Sequence, residues 1–140
     1  GSKPIAVIFN LGVNDLGNAG NYVSYMTSIA STLKSKNCKL FYMSVNPINS
    51  TMITKAGRGA RTEAQVREFN SKIRSGLSLD YKYIDMYSVL MKKGYGTNAS
   101  YNGTDADSDD GLHYTTKTFK RIYYYCITYL NTGSINASYY

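Results

Sequence analysis

Continuously apolar stretches along the chain predict three β-strands. The first, residues 5–11 (IAVIFNL), is rich in β-forming residues, which is typical of a strand buried on both faces of a parallel sheet. A second stretch, residues 39–45 (KLFYMSV), ends at Asn46-Pro47. Residues 83–85 (YID) predict a short third strand.

Apolar residues at helical spacing follow each strand. The first helix is predicted over residues 21–36, and the second begins at a capping box formed by Thr62 and Gln65. Thr115 or Thr116 caps the last helix. The residues predicted to face the core from the second helix are Val66, Phe69, Ile73 and Leu77. Those of the last helix are Phe119, Ile122, Tyr123, Cys126, Ile127 and Leu130.

The elements follow one another as strand, helix, strand, helix, strand, helix, which predicts an α/β fold. We expect three layers, α/β/α, with a parallel sheet in the middle and right-handed connections. Two polar segments, residues 48–60 and 94–111, are predicted to be long loops, and residues 89–93 a helical turn. Because reactive loops lie beyond the carboxyl ends of such strands, the long loops are expected to line a binding pocket.

The only histidine of the chain, His113, lies just before the last helix, with Asp110 three residues before it. Imidazole is the one side chain that titrates near neutrality without a shift, so His113 is the candidate general base. A carboxylate at this spacing in a turn can reach Nδ1 of the ring and hold it in one tautomer. The pair therefore indicates acid–base chemistry.

A second polar cluster follows the first strand. Gly12 allows a sharp turn of the backbone. The side-chain amide of Asn14 can donate a hydrogen bond to an oxyanion, and such a donor is worth about 10²–10³ in rate. Asp15 is expected to support the loop rather than to take part in the chemistry. Both clusters thus fall where a hydrolase of this fold class would carry its reactive groups.

Ester hydrolysis by these groups also requires a nucleophile. No serine of the chain follows a strand in a Gly-Asp-Ser type of turn: Ser44 is predicted inside a strand, and Ser2 has no strand before it. The sequence therefore supplies a base, the carboxylate that orients it and an oxyanion donor, and it leaves the nucleophile unassigned.

These motifs together resemble the SGNH or GDSL-type esterases and acylhydrolases. A strand followed by Gly12-x-Asn14-Asp15 is similar to the third sequence block of that family, and Asp110-x-x-His113 before a capped helix is similar to its fifth. Residues 83–85 resemble the last core strand, so the resemblance extends over nearly the whole chain. It implies an SGNH-hydrolase (flavodoxin-like) fold and ester hydrolysis through an acyl-enzyme, with no cofactor and no metal.

The resemblance also implies the role of each residue. His113 acts as general base and then acid, Asp110 orients it, and Asn14 stabilises the oxyanion. In the family, the serine and a second-block glycine belong to a first strand–helix–strand segment, which this chain does not match. We therefore expect residues 1–140 to be the C-terminal two-thirds of a single SGNH hydrolase domain. Alone it would be inactive, because a segment or chain outside this sequence supplies the serine.

The resemblance has a further consequence for partners. In the family, the serine-bearing strand pairs with the strand that corresponds to residues 5–11. Without that neighbour, an apolar edge that begins at Ile5 and ends at Leu11 is exposed, which favours aggregation. We expect the N-terminal fragment of the same domain, or a second copy of the chain, to cover this edge.

Composition narrows the partners and the location. The net charge is +7, but the lysines and arginines are scattered and no nucleic-acid-binding motif accompanies them. No apolar run approaches the roughly 20 residues that span a bilayer. Fifteen tyrosines and many amide and hydroxyl side chains favour an acetylated glycan as the substrate and a secreted or cell-surface bacterial protein, with a cytoplasmic location left open. Cys38 and Cys126 allow either one disulfide or two free thiols.

A calcium-binding loop is one alternative. Asp105, Asp107 and Asp109 alternate like the beginning of an EF-hand loop. The sixth position, however, is Asp110 instead of glycine, and the twelfth is Thr116 instead of glutamate. A solvated acidic loop that also orients the histidine is therefore favoured over calcium binding.

Two further alternatives concern function. A catalytically inactive SGNH-like domain that binds a glycan or a protein is favoured by the missing serine. It is disfavoured by the presence of Asn14, Asp110 and His113 together, which a binding domain does not require. A nucleotide-binding module of flavodoxin type is disfavoured because the segment from Gly12 to Gly17 is not a phosphate-binding loop.

Overall fold

A computed structural model describes residues 3–96 and 110–138 of the chain. Within these residues the chain is an α/β protein with a parallel three-stranded sheet and five helices. The strands are β1 (Ile5–Phe9), β2 (Cys38–Met43) and β3 (Tyr81–Ile84). The helices are α1 (Ala19–Leu33), α2 (Ser50–Lys55), α3 (Glu63–Gly76), α4 (Met86–Lys92) and α5 (Thr116–Thr132). The chain forms two compact units, one of Gly1–Val45 and Gln65–Asp85, the other of Asn46–Ala64 and Met86–Tyr140.

The first unit is built on the sheet, whose strand order is β1-β2-β3. Leu40 of β2 lies opposite Tyr81 of β3, so these side chains share one face of the sheet with Tyr83. Two helices pack on that face. The Tyr81 hydroxyl donates to the carbonyl of Met26 in α1 at 2.7 Å, and the Arg74 guanidinium of α3 lies 5.5 Å from the centre of the Tyr83 ring. The predicted parallel α/β arrangement is confirmed.

β1 lies at an edge of the sheet and is shorter than predicted. It ends at Phe9, because the Asn10 side chain turns to donate to the backbone carbonyl of Ser44 at 2.8 Å. Ile5 is 62% exposed and Leu11, beyond the strand, is 47% exposed. The prediction that this strand is buried on both faces is wrong, because Ile5 and Ala6 are exposed and the other three residues of β1 are only partly buried. Among the described strands, β1 pairs with β2 alone.

The segment of residues 48–60, predicted to be a loop, contains α2. The Asn49 side chain begins the helix by accepting a hydrogen bond from the backbone N–H of Met52 at 3.0 Å. Ile53 is its one fully buried side chain. A helix of six residues with a single buried anchor has no periodicity that a sequence can reveal, so its stability comes from contacts in the folded unit.

The other elements are confirmed with shifted ends. α1 occupies Ala19–Leu33 instead of residues 21–36, and the chain then turns through Asn37, whose φ is +49°. α3 begins directly after Thr62 and ends at Gly76, so Leu77 lies beyond it. β2 spans Cys38–Met43 instead of residues 39–45, β3 Tyr81–Ile84 instead of residues 83–85, and α4 Met86–Lys92 instead of residues 89–93.

The second unit contains α2, α4 and α5. The carboxylate of Glu63 accepts hydrogen bonds from the backbone N–H of Ile48 at 2.7 Å and from the hydroxyl of Tyr87 at 2.5 Å, which joins the residues before α2 to α4. Tyr95, which follows α4, is buried, and its hydroxyl lies 3.2 Å from that of Thr118 in α5. These polar contacts fix the ends of the helices within this unit.

α5 buries only part of the face predicted for it: Ile122 and Cys126 are buried as predicted. Phe119 and Tyr123, which the apolar pattern assigned to the core, are 57% and 61% exposed. Thr118, whose hydroxyl contacts that of Tyr95, and Tyr125 face inward instead. The buried residues of α5 are Thr118, Ile122, Tyr125 and Cys126.

Two further expectations concern the chain as a whole. No helix in the described ranges is long and apolar enough to cross a membrane. No disulfide joins Cys38 to Cys126, so of the two alternatives that the sequence left open the structure has the two thiols.

Candidate active site

The turn at residues 110–113, in the second unit, brings Asp110 and His113 together. Nδ1 of His113 lies 2.8 Å from Oδ2 of Asp110. The backbone N–H groups of Leu112 and His113 donate to Oδ1 at 3.0 and 2.8 Å. The side chain of Asp110 is 10% exposed and that of His113 is 67% exposed. The carboxylate is thus shielded from water while the ring is open to a substrate.

The hydrogen bonds hold the carboxylate of Asp110 in its ionised form. Burial alone would raise its pKa, but the backbone N–H and ring of His113 and the N–H of Leu112 outweigh it and hold the pKa well below its usual range. Because an ionised carboxylate only accepts hydrogen bonds, Nδ1 of His113 must carry the hydrogen. Nε2 of the neutral ring is then an acceptor, which is the form that a general base requires.

A third charged side chain, Arg58, contacts the same carboxylate. Its Nε donates to Oδ2 of Asp110 at 3.0 Å. Arg58 follows α2, and its backbone N–H donates to the carbonyl of Ile53 at 3.0 Å. Sequence reasoning did not identify Arg58, because it lies 52 positions from Asp110 and no local pattern links them. The one available signal was the absence of any acidic residue beside the cations Lys55, Arg58 and Arg61 in this segment.

α2 supports the turn at a second point. The backbone N–H of Asn49, the residue before α2, donates to the carbonyl of Gly111 at 2.8 Å. Gly111 has a φ of +79°, and a Cβ atom there would lie 2.5 Å from the carbonyl oxygen of Asn49. Both the backbone conformation and this close approach require glycine between Asp110 and His113.

The turn at residues 12–15 follows β1 in the first unit. Gly12 has a φ of +118°, and its carbonyl accepts the backbone N–H of Asp15 at 2.9 Å. The hydroxyl of Tyr22 in α1 donates to the carboxylate of Asp15 at 2.9 Å. Asn14 is exposed within the turn. Asn14 is therefore displayed on a turn that the glycine bends and Asp15 ties to α1.

The described residues supply no candidate nucleophile and no metal cluster. Ser44 directly follows β2 instead of lying inside a strand, but it is fully buried and hydrogen-bonds to Tyr83. Within residues 3–96 and 110–138, no three His, Cys, Asp or Glu side chains are grouped to hold a metal ion. The acidic residues of the calcium alternative, Asp105, Asp107 and Asp109, lie outside the described residues.

Replacement of Asp110 by asparagine is expected to weaken the fold at neutral pH by about 1–3 kcal/mol, because two donors then face an amide N–H₂ group. The lowered pKa of Asp110 gives its carboxylate a stabilising contribution that is complete above the ordinary value of 3.8 and is lost as the pH falls below it. Urea unfolding at pH 7 and pH 3 should show a smaller loss on acidification for Asp110→Asn than for the wild type.

The matched control for this prediction is Asp80→Asn. Asp80 is exposed, and its carboxylate accepts a hydrogen bond from the Ser78 hydroxyl. Its replacement should change the free energy of unfolding by less than about 0.5 kcal/mol at pH 7. Equal acid sensitivity of Asp110→Asn and the wild type would show that the carboxylate is not held as described.

The geometry therefore defines two groups of residues, each within its own unit. Asp110, His113 and Arg58 form a charged cluster with an exposed imidazole, and Asn14 stands on the turn after β1. Comparison of the chain with models of known protein families, with curated proteins and with solved structures finds no match. The functional interpretation rests on these side chains.

Proposed function

We propose that the chain is the larger part of a serine ester hydrolase of SGNH type. His113 is the general base, Asp110 orients it, Asn14 stabilises the oxyanion and Gly12 shapes the turn that carries Asn14. The observation that carries the proposal is the contact between the buried carboxylate of Asp110 and Nδ1 of the exposed His113 ring, at 2.8 Å. That contact leaves Nε2 as the one ring nitrogen able to accept a proton.

The reaction has two halves. Nε2 of His113 takes the hydroxyl proton of a serine as its oxygen attacks the ester carbonyl, and the amide of Asn14 donates to the oxyanion that forms. The imidazolium then protonates the leaving alcohol, and an acyl-enzyme remains. In the second half, His113 takes a proton from water, which attacks the acyl group, and the proton returns to the serine as the acid leaves.

The serine is proposed to come from a segment outside these residues, as the first strand–helix–strand part of a three-layer α/β/α fold. The exposed edge of β1 supports this, because Ile5 and Leu11 leave apolar surface open at an edge that pairs with no second strand among the described residues. An open groove of about 610 Å³ in the same unit continues that surface along α1. Its apolar lining consists of Leu11, Tyr22, Tyr25, Met26 and Ile29.

A carbohydrate O-acetyl ester is the proposed substrate, handled outside or at the surface of the cell. The ring of Tyr114, the residue after His113, makes edge contacts with the rings of Tyr95 and Phe119 at 5.8 and 6.3 Å. Tyr114 is partly exposed and Phe119 is 57% exposed, and such rings beside a catalytic group can stack on a sugar ring. This supports a glycan over a lipid substrate, since a lipid would favour an enclosed apolar pocket.

The test requires the serine to be present. We define the complemented protein as this chain produced together with the polypeptide encoded immediately upstream in its gene. The complemented protein is expected to hydrolyse 4-nitrophenyl acetate, whereas the chain alone is expected to be inactive. The absence of hydrolysis by the complemented protein contradicts the proposal.

Replacement of Asn14 by alanine in the complemented protein is expected to lower kcat by about 10²–10³-fold. KM should change little, because an oxyanion donor acts in the transition state and not on the bound ester. The matched control is Asn18→Ala, which removes an exposed amide from the same loop. If Asn14→Ala and Asn18→Ala have the same kcat, Asn14 is not the oxyanion donor.

A catalytically inactive domain that binds a glycan or a protein is the second candidate. It is favoured by one observation: Ser44, the serine that follows a strand most closely among the described residues, is buried. This alternative predicts that the complemented protein binds glycan without turning over an ester.

A further inference from the structure

The guanidinium of Arg58 is held at one edge and open at the other. Its Nε donates to Oδ2 of Asp110, and its backbone N–H is fixed to the carbonyl of Ile53. The side chain is nevertheless 55% exposed. Arginine carries five N–H donors, and in the part of the chain that the structure describes only that of Nε has a partner. As far as the described residues go, the Nη groups are therefore the donors left for a ligand.

The open edge belongs to the same site as the proposed base. Nε of Arg58 and Nδ1 of His113 lie 3.0 and 2.8 Å from the same oxygen of Asp110, so the guanidinium and the imidazole are neighbours. A ligand group that reaches His113 can therefore place a second group against Arg58. The carboxylate of Asp110 does not compete for that group, since its four contacts are already made.

The sequence around Arg58 is positively charged, which favours an anionic ligand. The segment from Ser50 to Thr62 carries Lys55, Arg58 and Arg61 and no acidic residue. The fork of two Nη groups matches the two oxygens of a carboxylate, and such charged hydrogen bonds are stronger than those to a neutral hydroxyl. A neutral sugar offers this fork no charged group to pair with.

We propose that Arg58 is a specificity-determining residue that binds a carboxylate of the substrate, and that the sugar substrate is therefore a uronic acid or another acidic sugar. This deepens the proposed function and rests on it for the site. The binding step itself requires no serine and no turnover. It can therefore be tested on the chain alone, apart from hydrolysis.

The experiment compares two sugars that differ in one group. Glucuronate carries a carboxylate where glucose has a hydroxymethyl group. Each is titrated into the chain at pH 7 and constant ionic strength, and the ring signals of His113 are followed by NMR. These signals are unambiguous because His113 is the only histidine. Glucuronate is expected to shift the signals saturably, and glucose to leave them unchanged at the same concentrations.

Variants of Arg58 test whether this side chain binds the carboxylate of glucuronate. Arg58→Gln is expected to weaken glucuronate binding about tenfold or more, since it removes the charge and the fork. Arg58→Lys keeps the charge and should bind with intermediate affinity. The matched control is Arg67→Gln, which removes an exposed cation from α3 and should bind like the wild type. If Arg58→Gln does not fold, the affinities of Arg58→Lys and the wild type for glucuronate are compared instead.

Three results overturn the proposal: no shift with glucuronate, equal shifts with both sugars, or equal affinity of wild type and Arg58 variants. Equal affinities would show that Arg58 contacts Asp110 but does not bind the ligand. Failure of the proposed hydrolase function gives a different pattern. Glucuronate binding then still depends on Arg58, but the complemented protein does not hydrolyse esters, which identifies an acidic-glycan-binding domain.

Discussion

Replacing His113 by alanine in the complemented protein is expected to lower kcat for 4-nitrophenyl acetate by about 10³-fold, within the range of 10²–10⁴ that a general base contributes. The substitution removes the one nitrogen that can accept the serine proton near neutral pH. No other histidine exists in the chain to replace it. The measurement is the rate of nitrophenolate release at saturating ester.

The structure makes this substitution informative, because His113 contributes little to packing. Its side chain is 67% exposed, and Asp110 keeps the backbone N–H groups of residues 112 and 113 and the Nε–H of Arg58 when the ring is removed. The free energy of unfolding should therefore change by no more than about 1 kcal/mol. A loss of activity without a loss of stability assigns the effect to the reaction.

A control variant and a second active-site variant accompany this measurement. Lys117→Ala, an exposed position on α5, should leave kcat unchanged. Asp110→Asn should lower kcat as well, because an asparagine no longer holds Nδ1 protonated. If His113→Ala retains the wild-type rate, the assignment of His113 as the general base is wrong.

The architecture of the sheet could be predicted because its strands have a strong local signature. β1 and most of β2 are apolar runs, and a segment with helical periodicity, α1 or α3, comes after each of them along the chain. Burial was harder to predict, since the same run of residues suits a central strand and an edge strand. Ile5 is exposed because of the position of β1 in the sheet, which no property of residues 5–11 reports.

Elements and faces that no apolar periodicity marks could not be predicted. α2 depends on the Asn49 cap and on the burial of Ile53, neither of which produces a periodic pattern. The buried face of α5 depends on the hydroxyl contact between Thr118 and Tyr95. Hydrophobicity favours Phe119 over Thr118 at a core position, so the sequence alone assigns Phe119 wrongly while it assigns Ile122 and Cys126 correctly.

In the candidate site, too, the local contact could be predicted and the contact between residues distant in sequence could not. Asp110 and His113 are three residues apart, so a single turn determines their contact and the spacing reveals it. Arg58 joins the cluster only because α2 and its following residues lie against that turn. The most specific part of the proposed chemistry, the recognition of an acidic sugar, therefore depends on the residue that the sequence did not indicate.

Replacing Gly12 by alanine is expected to destabilise the fold by about 3 kcal/mol or more, through backbone strain and overpacking together. A Cβ atom at this position would lie 2.2 Å from Cζ of Phe69, and the φ of +118° is unfavourable for any other residue. Phe69 is fully buried and packs edge-on against Tyr22, so its ring has no free space to enter. Urea unfolding followed by circular dichroism measures the loss.

The matched control is Gly20→Ala within α1, where no heavy atom lies within 4 Å of the added Cβ. Alanine should raise the stability there by up to about 1 kcal/mol, because it favours the helix over glycine. The double variant Gly12→Ala with Phe69→Leu separates the two causes. If the clash dominates, Phe69→Leu lowers the free energy of unfolding less in the Gly12→Ala background than in the wild type. If the two effects on the free energy of unfolding simply add, backbone strain at residue 12 is the cause. A Gly12→Ala protein as stable as the wild type contradicts the close packing of this turn, on which the display of Asn14 depends.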